Sequence, residues 1–575
     1  MLPFLRAGAR RSISGLGNHI GHAARRSSVG GQLQFRSGSS EAVASAVPIP
    51  EKPQRVTLSD IQERRSRAGR LVAPTAAPSD ADMFKGPTAG KPKAKRWDHH
   101  LTHESTLRAP CKLKQAARHL KQPGIISLGG GLPCPEYFPI SSLSLHVPVP
   151  PGFSEPDTLS GGETVAIGKY DASVPRAAGQ PPAAEYDLCI ALNYGQATGS
   201  AQLTRFVTEH VELALGAPPY ADWGVCLTPG STAALEQTLR MLCDGPGRRD
   251  TLLTEEFAFS TALETAAPLG VGVAGVPMDE QGLLPGEMDR ILAEWRPEER
   301  GGGRRPHVLY TVPSGQNPTG ATQGARRRRE VYEVARKWDV LIVEDEPYYY
   351  LQMGPPGERK KEQEGSQGLE GFLDGLLPSY LSMDVDGRVV RMDSFSKVVV
   401  PGSRLGWITA SAQLIERFVR HAEVANQGPS GFSQVILHKL LDERWGHEGY
   451  LRWLMHLSDE YTKRRDVIVA ACSEFLPKEV VSWNPPLAGM FHWLKVRHET
   501  HPDAASKSIL EIEEEIFNRC IAKGVLVARG SWFRAQQDKP PSGLYFRTTF
   551  AAATPENMRE AIRRLGEAIR ESFRL

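Results

Sequence analysis

The stretch DSFSKVVVPGSRLG, residues 393–406, places a single lysine, Lys397, between two serines and three consecutive valines. Arg404 follows seven residues later, after a Pro-Gly turn. Burying an ammonium group costs free energy, so a lysine inside an apolar run needs a chemical reason. The strand-like run RVVRM (388–392) immediately precedes the stretch, which places Lys397 just beyond the end of a predicted strand.

Similar β-rich runs recur along the chain and alternate with helical patterns. The runs are VCLT (225–228), TLLT (251–254), VGVAGV (271–276), HVLYTV (307–312), DVLIVE (339–344), RVVRM (388–392) and RLGWIT (404–409). Strands that alternate with helices predict an α/β fold, with a mainly parallel sheet covered by helices on both faces. Ligands of such sheets bind at the carboxyl ends of the strands, in the turns that follow.

Polar residues follow several of these predicted strands. After VCLT, a helix opens at Ser231 and Thr232, whose hydroxyl and N–H groups can bind an anion. Asn317 follows HVLYTV, and Asp345 and Tyr348 follow DVLIVE. Because a buried aspartate needs a cation or a hydrogen-bond donor, these strand ends are expected to form one ligand site.

Pyridoxal phosphate needs all of these groups together. Its aldehyde reacts with a lysine, its phosphate binds hydroxyls, N–H groups and an arginine, and its ring nitrogen and ring hydroxyl pair with a carboxylate and with amide or phenol groups. A lysine amine with a pKa of ~10.4 in water is a poor nucleophile, and burial beside a cation lowers that pKa. The sequence therefore predicts a pyridoxal phosphate site in which Lys397 is the covalent anchor.

Three motifs resemble the fold-type I pyridoxal-phosphate enzymes of aminotransferase class I/II: NPTG (317–320), EDEPYY (344–349) and SFSKVVVPGSRLG (394–406). Four further stretches resemble the fungal aromatic amino acid and 2-aminoadipate aminotransferases, relatives of kynurenine aminotransferase. They are IISLGGGLPCPEYFP (125–139), LNYGQATGSAQL (192–203), LPSYLSMDVDGRVVRMDSFSK (377–397) and LYFRTTFA (544–551). The resemblance covers roughly residues 97–575. It implies a large domain with a seven-stranded, mainly parallel sheet and a smaller α+β domain.

The resemblance also implies roles for residues at matching positions. Lys397 would bind the cofactor and move the substrate proton, Asp345 would pair with the ring nitrogen, and Asn317 and Tyr348 would hydrogen-bond the ring oxygen. The phosphate would be held by Ser231, Thr232, Ser394, Ser396 and Arg404, with Tyr194 reaching the phosphate of the neighbouring subunit. The last contact implies a homodimer with shared active sites.

The substrate contacts are implied in the same way. Arg547 would clamp the α-carboxylate in a two-pronged ion pair, assisted by Gly131 and Asn317. Phe259 takes the position that stacks on the cofactor ring, where several relatives have tyrosine, so stacking is kept and a phenol hydrogen bond is lost. Lys114 is either a contact for a distal substrate carboxylate or an exposed helix lysine.

Charge is unevenly distributed along the chain. Residues 1–40 hold six arginines and no acid, and residues 41–96 hold eleven basic and six acidic residues. Because the whole chain carries +3, these contributions of +6 and +5 leave −8 for residues 97–575. A mildly acidic body argues against a general nucleic-acid-binding protein.

Cysteine, histidine and apolar patterns exclude other classes. The seven cysteines are scattered and form no C-x-x-C pair, which is typical of free thiols. His99 and His100 lie in a polar segment without partners at metal spacing, so a solvated loop is predicted and no metal site. No apolar run approaches the ~18 residues that a membrane helix needs, so no membrane partner is expected.

Composition divides the chain. Residues 1–40, rich in Arg, Ser and Gly, are typical of a mitochondrial transit peptide and predict a matrix protein; an untargeted tail on a cytoplasmic protein is the alternative. The predicted segments are a disordered linker (41–96), an N-terminal segment with part of the small domain and a lid insertion (97–220), the cofactor-binding large domain (221–440) and the C-terminal small domain (441–575). The Pro/Gly-rich stretches 145–185 and 353–377 are predicted surface insertions.

The resemblance implies an aminotransferase that moves the amino group of an aromatic amino acid, kynurenine or 2-aminoadipate to 2-oxoglutarate. The sequence does not rank these donors. A lyase or a cyclopropane-forming synthase on the same scaffold would keep the same lysine, aspartate and phosphate site. A ligand-sensing transcription regulator would need a DNA-binding domain before the body, and residues 1–96 show no helix-turn-helix pattern.

Overall fold

The computed structural model describes residues 47–71, 73–122, 124–173, 184–357 and 366–575. The predicted transit peptide (1–40) lies outside the described residues, as do residues 174–183 and 358–365 of the two predicted insertions. None of the described helices is long and apolar enough to cross a membrane.

The strands are β1 (Ser142–Val147), β2 (Glu163–Gly168), β3 (Trp223–Thr228), β4 (Thr251–Glu255), β5 (Gly272–Val276), β6 (Met278–Asp279), β7 (Gly282–Leu283), β8 (Val308–Thr311), β9 (Leu341–Asp345), β10 (Val389–Ser394), β11 (Gly406–Ser411), β12 (Val481–Trp483), β13 (Phe491–Val496), β14 (Ala528–Arg529) and β15 (Leu544–Thr549).

The α-helices are α1 (Leu58–Ala68), α2 (His103–Leu107), α3 (Lys112–Ala116), α4 (Glu155–Gly161), α5 (Leu188–Ala191), α6 (Ala201–His210), α7 (Ser231–Leu242), α8 (Gly245–Arg248), α9 (Ser260–Ala266), α10 (Pro285–Ala293), α11 (Ala325–Lys337), α12 (Ser366–Gly375), α13 (Tyr380–Met383), α14 (Ala412–Ala425), α15 (Gly431–His438), α16 (Gly446–Phe475), α17 (Ile509–Ala522) and α18 (Pro555–Phe573).

The large sheet has seven strands in the order β3-β11-β10-β9-β8-β4-β5. The strands pair in parallel, except that β11 runs antiparallel to both of its neighbours. Each of the seven strand-like runs in the sequence forms one of these strands, so the predicted α/β fold is confirmed. Parallel pairing brings the carboxyl ends of β8, β9 and β10 to one edge, where Thr311 lies opposite Glu344 and Asp345 opposite Met392.

Both faces of this sheet are buried, as the continuous apolar runs predict. On β9, Leu341 and Val343 belong to one hydrophobic cluster, and Ile342 between them belongs to another. Successive side chains of a strand point to opposite faces, so the two clusters lie on opposite sides of the sheet. Such a strand is fixed in register, and the position of the residue that follows it is fixed as well.

The smaller sheet is antiparallel, in the order β12-β13-β15-β14. The predicted strands in SWNPPLAGMFHWLKV and GLYFRTTF correspond to β12, β13 and β15, and the predicted closing helix is α18. Helices α16 and α17 both pack against α18 beside this sheet. The predicted α+β architecture is therefore present in the C-terminal part of the chain.

The prediction of a disordered linker over residues 41–96 is wrong for the part that the structure describes. Helix α1 begins after Thr57, which forms a capping box with Asp60, and it buries Ile61. Arg65 on this helix forms ion pairs with Glu209 and Asp442. The acidic partners lie far along the chain, so composition alone could not indicate that this segment is ordered.

The two predicted surface insertions also contain packed structure. Strands β1 and β2 form an antiparallel hairpin, and Ile167 on β2 is fully buried. In the second stretch, α12 buries Leu369 and Phe372. Both stretches therefore contribute apolar contacts to the body of the protein.

Candidate active site

A cavity of about 360 Å³ opens at the carboxyl edge of the large sheet. Eleven of the predicted site residues line it: Ser231, Thr232, Phe259, Asn317, Asp345, Tyr348, Ser394, Ser396, Lys397, Arg404 and Arg547. The other lining residues are Tyr310, Val312, Pro347, Pro401 and Phe491. The residues that follow the strands of the large sheet meet here because its parallel strands end at the same edge. Arg547, which lies 316 positions after Ser231, reaches the site from β15 of the smaller sheet.

Three predicted site residues are elsewhere. Lys114 donates a hydrogen bond to the backbone carbonyl of Gly195, and Gly131 lies in an exposed segment. Tyr194 is 56% exposed and lines a second cavity with Phe138 and other residues. None of the three lines the cavity around Lys397 in this chain.

One end of the cavity is suited to an anion. Helix α7 begins at Ser231 behind Gly230, which has a φ of +86° and provides no side-chain cap, so the first N–H groups of the helix remain available. The Ser231 hydroxyl is buried and has no hydrogen-bond partner among the described residues. Arg404 lies two residues before β11, and its Nη1 donates to the Ser396 hydroxyl at 3.3 Å. Free N–H groups, hydroxyls and a guanidinium are together suited to binding a phosphate-type anion.

Asp345 is the middle one of three consecutive buried acids. Arg391 pairs with Glu344 at 3.2 Å and Arg328 pairs with Glu346 at 3.0 Å. Asp345 forms no ion pair with any described residue. Its Oδ2 accepts a hydrogen bond from the Tyr310 hydroxyl at 2.8 Å, and its Oδ1 is buried without a partner in the described part of the chain.

Burial raises the pKa of Asp345 to about 7, although the Tyr310 hydroxyl opposes this rise. Burying the charged form of a carboxylate without a cation costs free energy, so the pKa of Asp345 is raised as long as no cation pairs with it. The site therefore has room and charge for a protonated ring nitrogen beside Asp345. Tyr348 stays protonated, because burial and the charge of Asp345 both raise the pKa of its phenol.

Lys397 lies at the N-terminal side of the Pro-Gly turn and lines the same cavity. Burial lowers the pKa of its amine below the usual range, and the guanidiniums of Arg404 and Arg547 lower it further. A lysine with a lowered pKa is neutral more often at neutral pH, so it can act as a nucleophile and as a base. This environment agrees with the role that its position in the sequence predicts.

Arg547 brings the smaller sheet to the site. It lies on β15, and its Nη1 donates to Asn317 Oδ1 at 2.7 Å. Its guanidinium lies 4.4 Å from the ring centre of Phe491 and 4.6 Å from that of Phe533. Burial lowers the pKa of Arg547, while Tyr348 opposes this change. A guanidinium that contacts two aromatic rings and keeps N–H donors free of described partners suits a planar carboxylate.

Sequence reasoning missed Tyr310, Phe491 and Phe533. Tyr310 lies within HVLYTV, where an aromatic residue indicates only a strand. The register gives the missing signal, because Tyr310 pairs with Val343, two residues before Asp345 on β9. Phe491 and Phe533 contact Arg547 from β13 and from a short turn, which no local pattern indicates.

The prediction of a solvated loop at His99 and His100 is wrong for His100, although the His99 side chain is 57% exposed. His100 is buried, and both imidazoles contact the Asp339 carboxylate, at 2.7 Å from His99 and 2.9 Å from His100. His100 Nε2 also lies 2.8 Å from the Asp339 backbone carbonyl, which requires a proton on that nitrogen. Burial lowers the pKa of His100 to about 4, so the neutral, hydrogen-bonding form prevails at neutral pH.

Comparison with known sequences gives a consistent result. The sequence pattern of the family described as aminotransferase class I and II matches residues 177–565. An aromatic amino acid aminotransferase of Schizosaccharomyces pombe is 42% identical over 483 residues, which cover 83% of this chain and 98% of the relative. The mitochondrial kynurenine/alpha-aminoadipate aminotransferase of Bos taurus is 32% identical over 484 residues, covering 82% of this chain and 99% of the relative.

Comparison with solved structures agrees. The crystal structure of an aminotransferase from Candida albicans superimposes with a TM-score of 0.75 at 39% sequence identity. The match covers 84% of this chain and the whole of that chain. The fold around the cavity is therefore shared with an aminotransferase of clear sequence similarity.

Proposed function

Because the chain belongs to the class I and II aminotransferases, we propose that it binds pyridoxal 5'-phosphate and moves the amino group of an aromatic amino acid, kynurenine or 2-aminoadipate to 2-oxoglutarate. The observation that carries the cofactor assignment is Asp345. It is the only one of three consecutive buried acids without a cation among the described residues, and it faces the cavity that contains Lys397.

The residues present fit the cofactor. The buried Ser231 hydroxyl and Asp345 Oδ1 both lack partners among the described residues, at positions suited to a phosphate and to a ring nitrogen. A Cβ at Gly230 would come within 2.7 Å of Arg404 Nη2, so the absence of a side chain there keeps the anion site open. When bound, the cofactor supplies an aldehyde that takes up amino groups and a ring that withdraws electrons from the substrate α-carbon.

The chain's own residues would then bind and orient the substrate and move its proton. Lys397 would anchor the cofactor, and its amine, once free, would accept the proton from the substrate α-carbon and later release it. The residues that would hold the phosphate, and so keep the cofactor in place, are Ser231, Thr232, Ser394, Ser396 and Arg404. Asn317 and Tyr348 orient the ring oxygen.

Arg547 would bind the α-carboxylate shared by every amino donor and oxo-acid acceptor. Its contacts with the Phe491 and Phe533 rings restrict the guanidinium, and the aromatic rings of Phe259 and Phe491 also line the cavity. These walls suit an aromatic side chain. Lys114 has no substrate contact in this proposal, because its ammonium group donates to the Gly195 carbonyl outside the cavity.

Absorption spectroscopy of the purified protein tests the proposal. We expect a visible cofactor band that disappears with phenylalanine, kynurenine or 2-aminoadipate and returns with 2-oxoglutarate, together with the matching 2-oxo acid as product. A protein without this band, even after addition of pyridoxal 5'-phosphate, contradicts the cofactor assignment. A band that none of the three donors changes contradicts the substrate assignment, and a product other than the 2-oxo acid favours a lyase.

We further propose a homodimer with shared active sites, in which Tyr194 binds the phosphate in the neighbouring subunit. The support is that Tyr194 is exposed here and lies outside its own chain's cavity. Mixing two inactive variants, Lys397→Ala and Tyr194→Ala, tests this. Hybrid dimers would contain one intact site, so activity should return on mixing; no return contradicts shared sites.

We propose a mitochondrial location on the composition of residues 1–40, with a cytoplasmic location as the alternative. N-terminal sequencing of the protein from its native cells tests this. A mature start near residue 40 supports import, and it would leave the packed segment around α1 intact. A retained Met1 contradicts the proposal.

A further inference from the structure

Tyr310 is a fully buried residue of β8, one position before the end of the strand, and it contacts the candidate site. It lines the cavity, and its hydroxyl donates to Asp345 Oδ2 at 2.8 Å. The parallel register places Tyr310 opposite Val343, and Asp345 follows two residues later on the same face of β9. The contact is therefore set by the sheet rather than by a loop.

This hydrogen bond makes the two oxygens of the Asp345 carboxylate unequal. Oδ2 has a donor, whereas Oδ1 is buried and has no partner among the residues that the structure describes. The carboxylate of an aspartate can rotate about its Cβ–Cγ bond. Without the Tyr310 hydroxyl, this hydrogen bond would not fix which oxygen points into the cavity. With Tyr310 in place, one oxygen is occupied and the other is left for a ligand.

We propose that Tyr310 is a positioning residue: its hydroxyl holds the Asp345 carboxylate in one orientation and in its ionised form, so that Oδ1 pairs with the protonated ring nitrogen of the cofactor. This inference rests on the proposed function, because it requires a pyridine-type ligand at Asp345. It assigns a role to a residue that contacts the carboxylate and not the substrate.

The surroundings of Asp345 explain why a donor is needed. The titratable and charged groups that act on it are Tyr310 on β8, Asp393 and Arg391 on β10, and Glu255 at the end of β4. Asp393 and Glu255 disfavour a further negative charge. Arg391 favours it, but its guanidinium is already bound at 2.8 Å and 2.7 Å to the two oxygens of Asp393. The Tyr310 hydroxyl is the direct donor that remains.

The test uses Tyr310→Phe, which removes one oxygen atom and keeps the ring. The probe is pyridoxamine 5'-phosphate, which has no aldehyde and therefore binds the apoprotein without reacting with Lys397. A hydrogen bond to a charged group contributes enough for the variant to bind this probe roughly ten- to a hundredfold more weakly at neutral pH. The acid limb of the affinity against pH should move to higher pH, because the loss of the donor favours protonated Asp345.

A second probe separates this role from a general loss of packing. The deaza analogue of pyridoxamine 5'-phosphate has carbon in place of the ring nitrogen, so it cannot pair with Asp345. We expect Tyr310→Phe to weaken binding of the natural probe and to leave binding of the deaza analogue within about threefold of the unmodified protein. An equal loss for both probes overturns the inference.

Tyr332→Phe is the matched control. Tyr332 is also fully buried and donates its hydroxyl to an aspartate, Asp384, at 2.9 Å, but it does not line the cavity. Its variant should bind both probes like the unmodified protein. If the unmodified protein does not bind pyridoxamine 5'-phosphate, the proposed function fails; if it binds and Tyr310→Phe binds equally well, only the present inference fails.

A nearly isosteric change guards against misfolding of Tyr310→Phe. Incorporation of 3-fluorotyrosine at position 310 keeps the hydroxyl and makes it a stronger donor. The acid limb of pyridoxamine 5'-phosphate binding should then move to lower pH, opposite to the shift in Tyr310→Phe. An unmoved limb contradicts the inference without any need for the phenylalanine variant.

Discussion

Arg547 donates a hydrogen bond from Nη1 to Oδ1 of Asn317 across 2.7 Å, although 230 residues separate them. Arg547 lies on β15 of the small sheet, and Asn317 follows β8 of the large one. The bond joins the proposed substrate carboxylate site to the proposed cofactor ring site. Because the two residues belong to different sheets, a shift of the small sheet would move Arg547, the proposed substrate contact, relative to Asn317, the proposed cofactor contact.

Arg547→Lys should lower kcat/KM for every amino donor and for 2-oxoglutarate by roughly thirtyfold, because an ammonium cannot form the two parallel bonds of a guanidinium and about 2 kcal/mol is lost. Steady-state kinetics with phenylalanine and 2-oxoglutarate measures this. Arg326→Lys, at an arginine whose side chain is 92% exposed on α11, is the control and should change nothing. A loss confined to one substrate would contradict a shared α-carboxylate site.

Arg404→Gln should raise the pKa of Lys397, since burial and the Arg404 and Arg547 guanidiniums are what hold that pKa below its usual range. Pyridoxal without a phosphate reports on the amine alone, because the phosphate contact of Arg404 plays no part in its reaction. The rate of its reaction with the apoprotein should reach its half-maximum at a higher pH in the variant. An unchanged profile would show that Arg404 does not act on the amine.

The ends of the strands could be predicted from the sequence because each strand coincides with a short apolar run. Each apolar run forms one strand of the large sheet, and parallel strands deliver the residues that follow them to one edge. Local patterns alone therefore predict that Lys397, Asp345 and Asn317 meet at this edge, and all three line the cavity there. The combination of their residue types is what predicts a pyridoxal phosphate site.

The residues that were missed depend on pairings that no local pattern contains. Tyr310 acquires its role only when β8 and β9 are aligned, and Phe533 only when the turn Gly530–Phe533 folds beside Arg547 on β15. Likewise, the arginines of α1 read as a solvated linker until their buried partners, Glu209 and Asp442, are placed beside them. Long-range pairing of charges is invisible to composition.

Gly230→Ala should weaken binding of pyridoxal 5'-phosphate by roughly tenfold. The new Cβ would lie 2.7 Å from Arg404 Nη2 and must displace that guanidinium, and the φ of +86° adds strain of about 1–2 kcal/mol for a residue with a side chain. Titration of the apoprotein with the cofactor measures the change. Gly402→Ala is the control. Gly402 lies in the Pro-Gly turn before Arg404, and its Cβ position faces open space. Equal effects of the two variants would contradict a specific anion site.

Arg65→Met should lower the free energy of unfolding by about 2–3 kcal/mol, because it removes a cation from two buried carboxylates while keeping most of the side-chain volume. The loss is limited because Asp442 keeps its ion pair with Arg205 and Glu209 keeps its contact with His447. The Arg65 guanidinium contacts Glu209 through Nε and Nη2 and Asp442 through Nη1, the last at 2.7 Å. Urea unfolding followed by circular dichroism measures the loss. Arg67→Met is the matched control on the same helix, since Arg67 and its partner Glu63 are both exposed, and it should cost less than about 1 kcal/mol.

The pH dependence of this loss gives the sharper test. Burial opposes ionisation of Asp442, yet His438, Arg65 and Arg205 together hold its pKa at about 2, below the ordinary value of 3.8. A carboxylate with a lowered folded-state pKa stabilises the fold above its unfolded-state pKa, and this contribution disappears as the pH falls through the folded-state value. The difference between the unmodified protein and Arg65→Met should therefore be constant from pH 7 down to about 5 and shrink below about 4. A difference that persists unchanged under acid would mean that Arg65 stabilises the segment around α1 by packing and not by its charge.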